Sequence, residues 1–104
     1  MQLNGKQKKY LRGLAHNLDP VVFIGKQGIT DPLLLAVEKA IEDHELIKVK
    51  FQSFKEEKKE MAEKLADLSG TVLCGLVGNI AILYRQHAKE EKRKISLTGI
   101  GDET

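Results

Sequence analysis

The fold is decided by residues 21–32, VVFIGKQGITDP, which predict a short strand, a glycine loop and the start of a helix. The four residues before the loop are apolar, which predicts a strand that is buried on both faces and therefore central in its sheet. The loop glycines end this strand. Thr30 is a good N-cap residue and Pro32 suits a first helical turn, so a helix is expected to follow and to reach about residue 43.

The segments on either side of this stretch predict a helix before it and a strand after it. Asn4 and Gln7 have the spacing of a capping box, so the first helix is expected to begin at Asn4. Residues 45–53 alternate between apolar and polar side chains, which predicts a half-exposed strand. One face of that strand would carry Ile47, Val49 and Phe51, and the other Lys48, Lys50 and Gln52.

The second half of the chain predicts a third helix and a hairpin. Ser53 and Glu56 form another capping-box pattern, and the apolar residues that follow predict a helix over residues 54–68. The next residues predict two strands and the turn that joins them, namely 71–77, 80–85 and Gly78-Asn79.

The elements follow the order α-β-α-β-α-β-β, which predicts a single α/β domain over residues 1–97. Strand–helix–strand alternation favours parallel pairs with right-handed crossovers, and the closing hairpin adds an antiparallel strand. We therefore expect a mixed four-stranded sheet packed with helices, while the pattern leaves open which faces the helices cover. Residues 86–104 are polar and are expected to fray, with 98–104 as a flexible tail.

The charge of the chain is unevenly distributed, although the net charge is only +2. Residues 1–30 hold five basic residues and one acidic residue, a balance of +4, so the remaining 74 residues sum to −2. Such asymmetry favours a partner that carries phosphates. Hydrophobic residues make up 41% of the chain and charged residues 31%, the mix of a soluble globular domain.

Composition also bears on location. The longest apolar run, residues 71–84, is shorter than the roughly 20 residues that a membrane helix needs. Residues 1–17 have no apolar core and do not predict a secretory signal. Cys74 is the single cysteine and cannot form an internal disulfide, which agrees with a reducing compartment. We therefore expect a cytoplasmic protein that has no membrane partner.

No group of side chains predicts catalysis or a bound metal. The histidines at 16, 44 and 87 are isolated, and none has metal-ligand spacing to another histidine or to Cys74. Cys74 lies in an apolar strand without a nearby base, which favours a buried thiol over a nucleophile. A Walker lysine and a dinucleotide fingerprint are both missing. We expect no catalytic residue, metal, cofactor or small-molecule substrate, and therefore no enzyme.

The loop formed by Gly25, Lys26, Gln27 and Gly28 is the first candidate binding site. Glycine lets another chain approach without a Cβ in the way. Amides exposed in such a turn, beside a helix N-terminus, form a partly positive site for phosphate, and the lysine adds a mobile charge. The alternative is that any tight strand-to-helix turn favours glycine, and the pattern alone does not choose between the two. Asp31, just inside the helix, would repel phosphate.

The first helix is the second candidate, because a basic arc lies opposite its apolar arc at about 100° per residue. The apolar arc carries Gln7, Tyr10, Leu11 and Leu14, and the basic arc carries Lys6, Lys8, Lys9 and Arg12. The helix has no acidic residue, which favours phosphate binding over a merely solvated face. Whether other cations join this surface stays open for Lys48, Lys50, Lys92, Arg93 and Lys94.

Aromatic residues are few, and Tyr10, Phe23 and Phe51 are expected in the core. Proteins that read single-stranded bases on a sheet use exposed aromatic side chains as stacking platforms. We therefore expect that a nucleic-acid partner would be recognised through its backbone and its shape, without such a platform.

Three motifs together resemble one known family. They are residues 3–12, LNGKQKKYLR, residues 22–30, VFIGKQGIT, and residues 82–85, ILYR. They resemble the CRM domain, named for chloroplast RNA splicing and ribosome maturation, whose bacterial stand-alone form is the YhbY-like family. The resemblance covers residues 1 to about 97, and its most specific part is the middle motif.

The resemblance implies an RNA-binding α/β domain similar to the C-terminal domain of a bacterial translation initiation factor. It implies that the loop of residues 25–28 and the basic arc of the first helix contact RNA. It also implies association with precursors of the large ribosomal subunit, with ribosomal RNA as the partner. We expect a monomer. The alternative function is a protein-interaction domain whose basic helix docks on an acidic partner.

Overall fold

Helices and strands alternate along the chain in the predicted order, and a short 3₁₀ turn follows the last strand. The computed structural model describes residues 2–101. The helices are α1 (Gly5–Ala15), α2 (Asp31–His44) and α3 (Lys58–Ser69), and the strands are β1 (Val22–Ile24), β2 (Leu46–Phe51), β3 (Val72–Val77) and β4 (Ile80–Tyr84). The predicted α/β class with one mixed four-stranded sheet is confirmed.

The sheet has the strand order β1-β2-β4-β3. β1 and β2 are parallel, whereas β4 is antiparallel to both β2 and β3. The prediction that residues 21–24 form a central strand is wrong, because β1 pairs only with β2 and lies at the edge. Its burial alternates accordingly: Val22 and Ile24 are buried, and Phe23 between them is exposed.

Helices cover both faces of the sheet, which resolves the question that the sequence left open. α2 and α3 pack on one face over the larger core cluster, which includes Val37, Ile41 and Leu65. α1 packs on the other face over a smaller cluster, formed by Leu11, Ala15, Leu46, Cys74, Ile82 and Tyr84. Each helix buries one apolar stripe, and burial of such stripes is the main stabilising contribution in a domain of this size.

The predicted starts of α1 and α2 are confirmed. The Asn4 side chain accepts a hydrogen bond from the Gln7 amide at 2.9 Å, and the Gln7 side chain accepts one from the Asn4 amide at 3.0 Å. At α2, the Thr30 hydroxyl oxygen accepts from the Leu33 amide at 3.2 Å. These bonds satisfy amides that have no partner inside the helix, which fixes where each helix begins.

The predicted start of α3 is wrong. Ser53 does not cap a helix, and α3 begins four residues later than predicted, at Lys58, with no side-chain cap. The amides of Gln52 and Ser53 instead donate to the Ile24 carbonyl, which keeps the chain beside β1. Phe54 then adopts a φ of 57°, which is incompatible with a right-handed helix at that residue.

The segment after β4 is held against the domain, so the expectation that it frays from residue 86 is wrong for residues 87–97. The buried Glu45 carboxylate accepts hydrogen bonds from the amides of His87, Lys94 and Ile95, at 2.7, 2.6 and 3.0 Å. Ile95 and Leu97 pack against the smaller core cluster. The flexible tail 98–104 stays a prediction, and its last three residues lie outside the described residues.

Candidate nucleic-acid interface

The glycine loop is a tight turn between the end of β1 and the start of α2. The Gly28 amide donates a hydrogen bond to the Gly25 carbonyl at 3.0 Å, which closes the turn. The side chains of Lys26 and Gln27, between the two glycines, are exposed. The turn therefore projects from the end of the sheet at which β1 and β2 end.

The two glycines have different structural roles. Gly28 has a φ of +71°, a left-handed conformation that most side chains avoid. A Cβ at Gly28 would lie 3.6 Å from Phe54 and Met61, which is ordinary contact, so the backbone angle is what favours glycine. Gly25 lies outside the left-handed region, and a Cβ there would meet nothing within 4 Å. The fold thus does not require glycine at position 25, and the space above Gly25 is open to a ligand.

The loop offers backbone donors to that space. Within residues 2–101, the amides of Lys26 and Gln27 have no hydrogen-bond acceptor. They lie just before the N-terminus of α2, where the helix dipole favours an anion. The exposed Asp31 in the first turn of α2 opposes this attraction, as the sequence indicated. The arrangement can hold a phosphate oxygen by its amides and by the Lys26 ammonium group.

The basic arc of α1 is only partly open to solvent. Lys6 and Lys9 are exposed, whereas Lys8 and Arg12 are half-buried. The Arg12 guanidinium donates to the Cys74 carbonyl at 2.7 Å, and its aliphatic stem lies on Gly75 of β3. The prediction that all four cations face water is therefore wrong for these two. Arg12 has a structural role whether or not it also contacts a ligand.

The apolar arc of α1 is rotated from its predicted position. Its buried residues are Leu11 and Ala15, while Tyr10 is 38% exposed and Leu14 39% exposed. Tyr10 is therefore not a core residue, contrary to the prediction. Both half-exposed side chains line an apolar cleft with Val21, which precedes β1, so this cleft lies at the opposite end of β1 from the glycine loop.

α1 leaves part of its own face of the sheet uncovered. The uncovered residues form one cross-strand row, in which Phe23 pairs with Lys50, Lys50 with Ile80, and Ile80 with Val77. We call Phe23, Lys50, Ile80 and Val77 the open sheet row. Phe23 is 47% exposed, so its predicted place in the core is wrong, whereas Phe51 is fully buried as predicted.

The charges on the two faces of the sheet differ. Among the described residues, neither α1 nor any strand contains an aspartate or a glutamate. The helices of the other face carry four lysines and seven acidic residues, a balance of 4 − 7 = −3; the acidic residues are Asp31, Glu38, Glu42, Asp43, Glu60, Glu63 and Asp67. The face that carries α1 and the open sheet row is thus the cationic face of the domain, and anions are attracted to it.

The basic residues left open by the sequence divide into three groups. The Lys48 ammonium group donates to the carbonyls of His16 and Leu18, at 3.4 and 2.9 Å, so it caps the end of α1. Lys50 is exposed in the open sheet row. The residues of the third group, 92–94, are exposed and line a depression with Glu42 and Asp43, which places them beside acidic side chains.

Burial and hydrogen bonding shift the pKa of several titratable groups. Cys74 is buried as predicted, and burial raises the pKa of its thiol to about 11, which makes it a poor nucleophile at neutral pH. Burial likewise raises the pKa of the Tyr84 phenol to about 12. On the surface, hydrogen bonding to Arg85 lowers the pKa of Glu38. No group of three or more potential metal ligands occurs in the described part of the chain.

The helices differ from membrane-spanning helices in length and in apolarity. Within residues 2–101, no helix is both long enough and apolar enough to cross a bilayer.

Comparison with protein families decides the assignment. The model of the CRS1 / YhbY (CRM) domain matches residues 3–85 of this chain. The chain belongs to the CRM-domain family. The match begins just before α1 and ends just after β4, so it includes the glycine loop, the basic arc and the open sheet row.

Several proteins of other organisms match this chain along nearly their full length. A Bacillus subtilis protein named a probable RNA-binding protein, YqeI, is 40% identical over 92 residues, which are 88% of this chain and 95% of its own. A Haemophilus influenzae protein named an RNA-binding protein is 38% identical over 96 residues, 91% of this chain and 94% of its own. The solution structure of a hypothetical Staphylococcus aureus protein superposes with a TM-score of 0.77 at 38% identity, covering 91% of this chain and 100% of that one.

Sequence reasoning missed two features of this CRM domain. The first is the exposure of Phe23, which follows from the edge position of β1. Val22, Phe23 and Ile24 are all apolar, so the sequence does not show which of them is exposed. The exposure of Phe23 could have been predicted only if the strand had been known to be covered on one face. The second is Glu45, a buried carboxylate that binds a segment more than 40 residues away, for which the local sequence contains no signal.

Proposed function

We propose that this CRM protein binds the phosphate backbone of RNA through the glycine loop and the cationic face. We also propose that it acts in assembly of the large ribosomal subunit. It would do so as a non-enzymatic monomer in the cytoplasm. The observation that carries the proposal is the loop: two amides that have no acceptor among residues 2–101 lie between glycines, one of which the fold does not require.

The charge distribution supports the same partner. Exposed Lys9 and Lys50 belong to a face whose helix and strands contain no acidic residue in the described chain, and exposed Lys26 lies in the loop that follows β1 of this sheet. Phosphate contacts supply most of the affinity of nucleic-acid binding and are independent of sequence. Two of the relatives that match this chain are named RNA-binding or probable RNA-binding proteins.

The salt dependence of binding tests the proposal. Each phosphate neutralised on a single strand or a duplex contributes about 0.7 to 0.9 to the slope of log affinity against log salt. If three or four cations engage, the slope for a structured ribosomal RNA fragment is expected to be roughly −2 to −4. Replacing Lys9 and Lys26 together by alanine is expected to flatten it by about one to two units.

A charge-matched control separates this effect from net charge. Lys39 and Lys64 are exposed on α2 and α3, so their double alanine variant loses the same charge from the other face. We expect the control to keep the wild-type slope. A slope near zero for the wild type, or equal slopes for the two double variants, would contradict phosphate binding by the cationic face.

Association with ribosome precursors needs a separate test in cells. The proposal predicts that the protein sediments with large-subunit precursors in sucrose gradients at low salt. The Lys9/Lys26 double variant is expected to shift to the top of the gradient, and the Lys39/Lys64 variant is not. Sedimentation of the wild type at the top alone, at low salt, would contradict the role in assembly and leave RNA binding to be judged by the salt slope.

The alternative is a domain that docks its basic helix on an acidic protein. Nuclease treatment of the extract before sedimentation distinguishes the two functions. An RNA-bound protein would leave the ribosomal fractions when RNA is digested, whereas a protein-bound one would remain with its partner.

A further inference from the structure

We infer that Phe23 is a stacking surface for an unpaired RNA base, and that Lys50 beside it contacts the adjoining phosphate. The inference rests on the proposed function, since it concerns how an RNA bound by the glycine loop continues over the sheet. It also revises the expectation, drawn from the sequence, that the domain has no stacking platform.

The first observation is the position of Phe23 on the sheet. Val22 and Ile24 on either side of it point into the larger core cluster, so Phe23 points to the face that carries α1. α1 covers that face around Leu46, Cys74, Ile82 and Tyr84, which does not include Phe23. Phe23 remains 47% exposed to solvent with all described residues in place. Its ring is therefore open to a planar ligand.

The second observation is the charge of the neighbouring residues. Lys50 lies directly opposite Phe23 in the parallel pair of β1 and β2 and is itself exposed. Side chains opposite each other in a sheet lie within about 5.5 Å at their Cβ atoms. A base that stacks on the ring therefore places its phosphate within reach of the Lys50 ammonium group. An aromatic ring beside a cation is the combination that single-stranded nucleic-acid sites use.

The third observation is continuity with the loop. Phe23 lines a single shallow depression together with Gly25, Lys26, Gln27 and Gly28. Only Ile24, which is buried, separates Phe23 from the loop along the chain. A nucleotide whose phosphate is held by the loop amides thus has its neighbour next to the exposed ring.

The same observations favour RNA over a protein at this site. An apolar protein segment would bind best to a wide apolar surface. In the open sheet row, however, Lys50 lies between Phe23 and Ile80. No acidic residue of α1 or of the strands, within the described chain, opposes a polyanion there. Exposed leucines that would suit a protein partner, Leu35 and Leu68, lie on the other face beside acidic residues.

Affinity measurements with two RNAs test the inference. One RNA is a hairpin with an unpaired base, and the other is the same hairpin with that nucleotide made abasic. Phe23→Leu keeps an apolar side chain but removes the ring, and we expect it to weaken binding of the first RNA by at least about fivefold. For the abasic RNA, wild type and variant are expected to bind equally, with unchanged salt slopes.

A fluorescent variant adds a direct readout, because the chain contains no tryptophan. Phe23→Trp is expected to keep the affinity and to show quenching of its fluorescence when the hairpin with the unpaired base is added. Leu35→Trp, at an exposed position of α2, is the matched control and is expected to show none. Quenching of both tryptophans alike would contradict stacking at Phe23.

The outcomes separate this inference from the function on which it rests. If wild type binds neither RNA, the proposed function is wrong. If it binds both and Phe23→Leu binds them as tightly, RNA binding stands and stacking is wrong. Equal weakening for both RNAs would mean that the Phe23 ring maintains the structure of the protein surface and does not stack on a base. This result would also overturn the inference. Loss of a protein partner with unchanged RNA affinity would assign the row to protein docking.

Discussion

At Gly28 the backbone angle, and not the available space, limits which residue can stand in the loop. A φ of +71° is tolerated best by glycine and next by asparagine and aspartate, whose short polar side chains can bond locally. Phe54 and Met61 lie at ordinary contact distance from a Cβ at this position. A substitution can therefore change the charge of the loop with a modest effect on folding.

Two variants of nearly equal size separate charge from bulk at this residue. Gly28→Asp and Gly28→Asn are each expected to lower the free energy of unfolding by about 1 kcal/mol, since both must adopt the left-handed conformation. The aspartate should in addition repel the bound phosphate and weaken RNA binding about tenfold relative to the asparagine variant. Filter binding at low salt and urea unfolding measure the two effects. Equal affinities for the two variants would show that no phosphate lies beside the loop.

The buried thiol of Cys74 makes stability depend on alkaline pH. In the folded chain burial raises the pKa of the thiol from its ordinary value of 9.0 to about 11, so the folded state holds its proton where the unfolded state has lost it. The free energy of unfolding is therefore expected to fall as pH rises from about 9 to 11, by about 2 kcal/mol from this group. Tyr84 should extend the decline to higher pH, since its pKa is raised to about 12.

Urea unfolding of Cys74→Ala over the same pH range isolates the contribution of the thiol. The alanine variant loses contacts at every pH, so the slope against pH is compared and not the absolute stability. We expect a shallower decline between pH 9 and 11 than in the wild type. An identical slope would mean that the thiol ionises as easily in the folded chain as in the unfolded one.

At the scale of elements, the sequence predicted helix starts correctly where the hydrogen-bond partners lie within a few residues of each other. The caps at Asn4 and Thr30 bond amides three residues away, and α1 and α2 begin as predicted. The Ser53 pattern was equally good in sequence, but bonds to the Ile24 carbonyl, formed only in the folded sheet, outcompete it. The edge position of β1 also depends on strand order, which a single apolar run cannot encode. The exposure of Phe23 was missed for that reason.

The segment after β4 is an element that one carboxylate attaches to the domain. Both oxygens of Glu45 accept amide hydrogen bonds, from His87 and from Lys94 and Ile95. In Glu45→Gln an NH₂ group replaces one of the two acceptor oxygens. At least one of the three backbone amides would then face another donor and lose its hydrogen bond. We expect a loss of about 1 to 3 kcal/mol in the free energy of unfolding. We also expect faster hydrogen exchange in residues 87–97.

Limited trypsin digestion provides the second readout for Glu45→Gln, because exposed cleavage sites at 89 and 92–94 lie in the attached segment. Cleavage there is expected to speed up in the variant while the remaining sites keep their rates. Glu63→Gln, the same chemical change at an exposed position of α3, is the control and should leave the digestion unchanged. Equal rates in wild type and Glu45→Gln would show that the carboxylate does not hold the segment.

At the scale of the whole molecule, charge is distributed unevenly along the chain. Because of the order of strands, the two faces of the folded sheet differ in charge. The sequence predicted the excess of cations before residue 30 and the candidate loop. It could not predict that α1 lies on the opposite side of the sheet from α2 and α3, since that placement depends on contacts far apart in the chain. For the same reason it could not show that the charged groups of Arg12 and Lys48 bond carbonyls of other elements.

Amide chemical-shift mapping during titration with a structured RNA distinguishes the two faces in one experiment. RNA binding by the cationic face predicts the largest shifts at Lys26 and Gln27, with further shifts along α1 and the open sheet row. Amides on the exposed surface of α2 and α3, such as those of Lys39 and Lys64, should not move, and raising the salt concentration should reverse the shifts. Shifts centred on α2 and α3, or shifts that leave the loop amides unmoved, would contradict RNA binding by the glycine loop.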